Sequence, residues 1–158
     1  MRGMNKTQTA ALLREIPKDT VAYPAGCNVH LFPDGNFAAN DGRPARLTEG
    51  KLTTWRMDAG IAAALIAAAT EPILFDIDHE SIYGSTAASG WITALHYEPG
   101  RGLFGKTEWN TDAAEAIAGS VYRYLSPYFE FDMATGAIIA LISVALYCLH
   151  GEQADDNK

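Results

Sequence analysis

The sequence predicts a mainly β fold with flanking helices, either an α+β unit or a small barrel. Three observations lead there. Short apolar or alternating runs bounded by turn residues make up most of the chain, and only two stretches have helical character. Strands and helices do not alternate regularly, which argues against a doubly wound parallel sheet. The length of 158 residues fits one domain that buries about two thirds of its unfolded surface, and 48% hydrophobic with 20% charged residues is a globular balance. The expected organisation is an arm over residues 1–20, one domain over 21–150 and a polar tail over 151–158.

In chain order, the first twenty residues read as a loosely attached arm or a short helix ended by Pro17. "CNVHLFPDGNF" reads as a strand, a turn at "PDG" and a second strand, and "ANDGRPARLTEGK" as a loop. "DAGIAAALIAAA" is the clearest helix: alanine propensity is high, Asp58 is a good N-cap, and Ile61, Leu65 and Ile66 mark a buried side. "PILFDIDHE" reads as a strand, and the "GSTAASG" that follows as a connection. "WITALHYE" and "GLFGKTEW" around "PGRG" form a hairpin. "TDAAEAIAG" is a short helix with Asp112 and Glu115 at capping-box spacing and Gly119 at its exit. "VYRYLSPYFEF" is a strand. "AIIALISVALYCL" is a buried strand, given its β-branched Ile138, Ile139, Ile142 and Val144.

Composition removes several function classes. With 12 Lys+Arg against 19 Asp+Glu, the net charge of -7 argues against a general nucleic-acid partner. The longest apolar run, 13 residues, falls short of the roughly 20 that cross a bilayer, and the N-terminus has no signal-peptide pattern. A soluble, intracellular protein without a membrane partner is expected. Cys27 and Cys148 lack CxxC spacing and read as separate buried thiols.

The candidate chemistry lies at "FDIDH" and "YRYLSP". Serine catalysis needs a hydroxyl within hydrogen-bond reach of an imidazole, and a third group to hold the ring. His79 is a candidate base and Ser126 a candidate nucleophile. Strand alternation puts Tyr122, Tyr124, Ser126, Tyr128 and Glu130 on one face, with Arg123, Leu125, Phe129 and Phe131 on the other. Pro127 removes a ladder donor, so this strand is expected at an edge or bulged. A core histidine and an ordinary turn serine are the plainer reading of both residues. A metal site at "DIDH" would need Asp76, Asp78 and His79 together, but extended geometry puts only the two aspartates on one face. If the strand bends at Asp78, either carboxylate can orient an imidazole. Trp91 and Trp109 read as core or hairpin anchors, the three tyrosines as groove wall, and "LFPDGNF" and "NDGRP" as loops rimming a substrate cleft.

"VHLFPDGNFAANDGRP", "TWRMDAGIAAALIAAA", "ILFDIDH", "AASGWITALHYEPGRGLFGKTEWNTDAA" and "YRYLSPYFEFDMATGAIIALISVAL" together resemble, in collinear order, the Mu-type prophage I family of capsid-maturation proteases. That resemblance implies a serine endopeptidase related in architecture to prohead and herpesvirus assembly proteases, with a small closed β-barrel flanked by helices. It implies His79 as general base, Ser126 as nucleophile, and no cofactor or metal. The implied substrates are phage scaffold and the major head protein, inside an immature capsid in the host bacterial cytoplasm, and a homo-oligomer is compatible with it. Relatives of this kind carry a histidine or acid just before a "VAL"-like run, where this chain has Ser143, and "LTNxP" where it has "LYCLHG". Their longer form continues into a scaffold-like region, so the resemblance makes this chain an isolated protease domain or a processed or truncated form. A hydroxyl at Ser143 offers an acceptor without charge. The site is then a Ser–His dyad, or borrows Asp76 or Asp78, or belongs to an impaired homologue with a structural or scaffold-binding role. His150 is a further candidate for the third place, against a plain surface histidine. Arg123 reads as a salt-bridge residue, with oxyanion assistance the lesser alternative.

Overall fold

The computed structural model describes residues 6–17, 22–79 and 88–147, and the expectations for Cys148 and His150 lie outside them. Ten strands and two helices appear among the described residues. They are β1 (Thr7–Ala11), β2 (Arg14–Glu15), β3 (Val29–Phe32), β4 (Gly35–Phe37), β5 (Trp55–Met57), α1 (Ala59–Ala68), β6 (Ile73–Ile77), β7 (Gly90–Glu98), β8 (Gly102–Trp109), α2 (Thr111–Ala118), β9 (Tyr124–Asp132) and β10 (Ile138–Tyr147). The chain is therefore mainly β with two helices, as its apolar patterning predicts.

Eight strands form one curled sheet in the order β1-β9-β10-β6-β7-β8-β3, with β2 also paired to β9. β6 and β10 run parallel and the other ladders are antiparallel. Among the described residues the ladder stops at β1 and β3, so the sheet is a half-barrel whose hydrogen bonding does not close. The seam is spanned instead by side chains: Arg14 Nη2 of β2 lies 3.1 Å from His30 Nδ1 of β3. β4 and β5 form a separate two-stranded ribbon, so β3 and β4 are not a paired hairpin despite the "PDG" turn between them.

The N-terminal stretch departs most from expectation. In place of a loose arm or short helix, Thr7–Ala11 pairs with β9 from Asp132 to Tyr128 and Arg14–Glu15 pairs with Leu125–Tyr124. Its apolar residues, Ala10 to Leu13, are consecutive and show no strand alternation. The ladder hydrogen bonds supplied by β9 hold it, and no local sequence pattern encodes those.

The core fills the concave side. Phe129 meets Phe32 and Trp55 edge to face, each at 5.2 Å, and Trp55 also packs on Phe131 at 5.8 Å. Trp55 is the largest fully buried side chain. Trp109 packs edge-on against Phe75 at 4.6 Å, whereas Trp91 is 46% exposed and anchors nothing in the core. In α1 the buried residues are Ala62 and Leu65, while Ile66, expected on the buried side, is exposed. Asp58 caps α1 by accepting from the Ile61 N–H. Asn110, not Asp112, caps α2 by accepting from Ala113 N–H, and Asp112 sits in the first turn facing the positive end of the helix. Gly136 (φ +81) is required twice over: its backbone is left-handed, and a Cβ there would collide with the Thr54 carbonyl.

Candidate functional site

The sheet face opposite the aromatic cluster carries the candidate residues. Strand alternation sends Leu125, Pro127, Phe129 and Phe131 to one face of β9 and Tyr124, Ser126, Tyr128 and Glu130 to the other; burial follows this alternation except at Ser126, which is itself fully buried. Register then lines up a row across strands. Ser126 of β9 is opposite Ala145 of β10, and Ala145 is opposite Asp76 of β6. Residues facing each other across a ladder share a face, so Ser126 and Asp76 lie on one surface with a methyl group between them.

Pro127 does not put β9 at an edge. Its carbonyl accepts from Leu12 N–H at 3.1 Å, so its missing N–H points toward the same side, where β1 has ended and β2 has not begun. The proline is accommodated by a break in its partner strand. On the other side β10 is bulged, between Ile138 and Ala140 and again between Leu141 and Ser143.

His79 reaches Ser126 because β6 ends in two consecutive left-handed residues, Asp78 (φ 54) and His79 (φ 59). Extended geometry would have sent His79 to the opposite face from Asp76; the reversal folds its ring back over β9. His79 Nε2 lies 3.1 Å from Ser126 Oγ, across 47 residues of sequence. The imidazole sits between Tyr128 (centroids 5.8 Å apart) and Tyr147 (5.5 Å). Burial pushes its pKa below the ordinary histidine value, and the Asp76 charge pushes the other way. A neutral imidazole holding a serine hydroxyl is the resting state a general base requires.

The third position is not filled as the histidine or acid of relatives would fill it. Ser143 lies on the same face, opposite Tyr128, but among the described residues its Oγ has no hydrogen-bond partner, and neither has His79 Nδ1. Asp76 is fully buried and acts on the ring through its charge. Asp78 serves the bend, its N–H donating to the Leu146 carbonyl at 3.0 Å. Arg123 is exposed, ahead of β9, with its carbonyl accepting from Ile16 N–H. Ser126 is 0% exposed and His79 5%, so the pair is covered. Among the described residues no three His, Cys, Asp or Glu side chains converge as a metal site would need.

Apart from this pair, neither of whose residues lines it, a cleft of about 600 Å³ opens at the seam of the half-barrel. Its walls are residues 12–15, Tyr124 and the 33–43 loop, which includes both loops expected to rim a cleft. Sequence reasoning missed Leu13 and Arg14 in its wall, and also Tyr147 against the histidine. The first two lie in a segment with no strand signal, and Tyr147 is one aromatic among many.

The family model for the Mu-like prophage I protein, N-terminal domain, matches residues 29–149. Protease I of Escherichia phage Mu is 33% identical over 128 residues, covering 73% of this chain and 35% of that protein. The Mu-like prophage FluMu I protein of Haemophilus influenzae is 30% identical over 118 residues, covering 65% of this chain and 32% of that protein. The chain spans about a third of the length of these curated relatives. No solved structure matches it.

Proposed function

This chain belongs to the Mu-like prophage I protein family, and from that premise and the His79–Ser126 contact we propose that it is a serine endopeptidase of phage capsid maturation. The observation that carries the proposal is the 3.1 Å approach of His79 Nε2 to Ser126 Oγ. Support comes from the name Protease I borne by the phage Mu relative. Ser126 Oγ attacks the scissile carbonyl as its proton passes to His79 Nε2. The imidazolium then protonates the departing amine, and water attacks the acyl-enzyme with the same base. Asp76 favours the imidazolium by its charge, in place of a third group bonded to Nδ1. Because Pro127 has no N–H, the residue after the nucleophile cannot donate to the oxyanion, and donors from another segment must serve. The substrates are scaffold and head proteins within the immature capsid, inside the host cell, and the half-barrel is a variant of the small barrel of assembly proteases.

Fluorophosphonate labelling tests this. The probe is expected to modify Ser126, with labelling abolished in Ser126→Ala and reduced at least about hundredfold in His79→Gln. Unlabelled, correctly folded protein would defeat the reading. One observation favours a second: the complete burial of Ser126 suits an impaired homologue with a scaffold-binding role. That homologue would stay unlabelled yet bind scaffold equally well with Ser126→Ala.

A further inference from the structure

The seam cleft holds a cation with which no acid among the described residues forms an ion pair. Arg14 lines the cleft from β2. Of its five N–H donors, one approaches His30 Nδ1 at 3.1 Å, and its Nε is buried with no partner among the described residues. His30 Nε2 lies 2.7 Å from the Arg101 carbonyl, which only accepts, so this nitrogen carries the proton and Nδ1 is a neutral acceptor toward Arg14. The ring is fixed further by stacking on Phe104 at 4.2 Å. The ion pairs among the described residues involve Arg43, Arg46, Arg56 and Arg101, and none involves Arg14. The other cation of the cleft, Arg43, is answered by Asp41, both of whose oxygens lie 3.0 Å from its Nε. Glu15 is exposed and also lines the cleft, but by strand alternation it points to the opposite face from Arg14 and makes no ion pair with it. A partly desolvated guanidinium held by one neutral partner is a poor stability device, since burying charge costs more than a single hydrogen bond returns.

The cleft also has a backbone edge to offer. Leu12 N–H points to Pro127 and Ile16 N–H to Arg123, so the N–H and C=O groups of Leu13 and Glu15 point away from β9 along the free edge. Register is continuous across the break, with Ala11 opposite Tyr128 and Arg14 opposite Leu125, which sets Leu13 directly opposite Ser126. Tyr124, in the cleft wall, is two residues from Ser126, about 7 Å along the strand. An extended chain added to this edge meets main-chain partners, an apolar wall at Leu13, Phe37 and Tyr124, and the Arg14 cation.

We propose that this cleft binds an acidic side chain of an extended polypeptide laid along residues 12–15, with Arg14 as its counter-charge. This rests on the protease reading for the role of that peptide as substrate.

The test uses Ser126→Ala protein, so that binding is read without turnover. The probes are end-blocked eight-residue alanine–serine peptides with one Glu at each position in turn, and their Gln counterparts. Glu peptides are expected to bind about tenfold tighter than Gln peptides in fluorescence-polarisation competition. Arg14→Gln should erase that preference, and Arg14→Lys should keep part of it. Equal binding of Glu and Gln peptides, no binding of either, or a preference that survives Arg14→Gln would overturn the proposal. The wild-type-Arg14 comparison decides even if Arg14→Gln does not fold. Fluorophosphonate labelling of Ser126 in chains with Ser126 intact is scored separately. Absent labelling with a Glu preference defeats the protease reading alone, and labelling without a preference defeats the cleft assignment alone.

Discussion

Replacing Phe129 by alanine separates the two faces of the strand that carries Ser126. Phe129 is fully buried, edge to face with Phe32 and Trp55 at 5.2 Å and 6.2 Å from Phe131. Removing its ring takes on the order of 150 Å² of apolar surface out of the core, or about 4 kcal/mol at 25 cal/mol per Å². That agrees with the roughly 3–5 kcal/mol found for Phe→Ala at sites that collapse only partly. Since single domains have about 5–15 kcal/mol in total, Phe129→Ala is expected to be marginally folded. Phe129→Leu, which keeps most of the volume, should lose about 1.5 kcal/mol. Urea unfolding followed by tryptophan fluorescence reads both, with m unchanged. The next residue is the control. Tyr128→Phe removes only an exposed hydroxyl 3.3 Å from Thr9 Oγ1 and should cost a few tenths of a kcal/mol. Ser126 labelling should persist in Phe129→Leu, because that side chain points away from the site. A loss below about 1.5 kcal/mol for Phe129→Ala would refute the packing of the aromatic cluster on which the strand's facing rests.

Three further outcomes follow from named contacts. Ser126 labelling should rise with pH and level off, with its midpoint below the ordinary histidine value because burial disfavours the His79 imidazolium; Asp76→Asn removes a charge that favours it, so the midpoint moves lower still, and an upward move would contradict the Asp76 role. Burial, first, and then the Arg14 charge hold the His30 pKa down as well, and with His79 this means the unfolded chain binds more protons than the folded one in mild acid. Stability should therefore be full above the ordinary histidine pKa and fall as pH drops through the two depressed values, and urea midpoints between pH 8 and 5 that stay level would refute it. Gly136→Ala should cost about 2 kcal/mol or more, from a left-handed backbone and a collision with the Thr54 carbonyl, and near-neutral thermal unfolding would show that turn misjudged.

Local pattern alone determined most strands, α1 with its Asp58 cap, the β7–β8 hairpin and the alternation that sets Ser126 against Phe129. These are legible because period, turn chemistry and capping act within a few residues. Sequence could also say that His79 and Ser126 were worth pairing, but only through resemblance; spacing gave no reason. Tertiary structure decided the rest. The left-handed pair at Asp78 and His79 turned the ring onto Ser126, although neither residue type demands that conformation. The N-terminal stretch became a strand because β9 offered it unpaired backbone groups, which no property of residues 7–15 encodes. The same long-range pairing set Arg14 beside His30 and opened the cleft at the seam. Hydrogen bonding between distant strands is blind to side-chain identity, so the register that aligns Leu13, Ser126, Ala145 and Asp76 is set only when the whole sheet assembles.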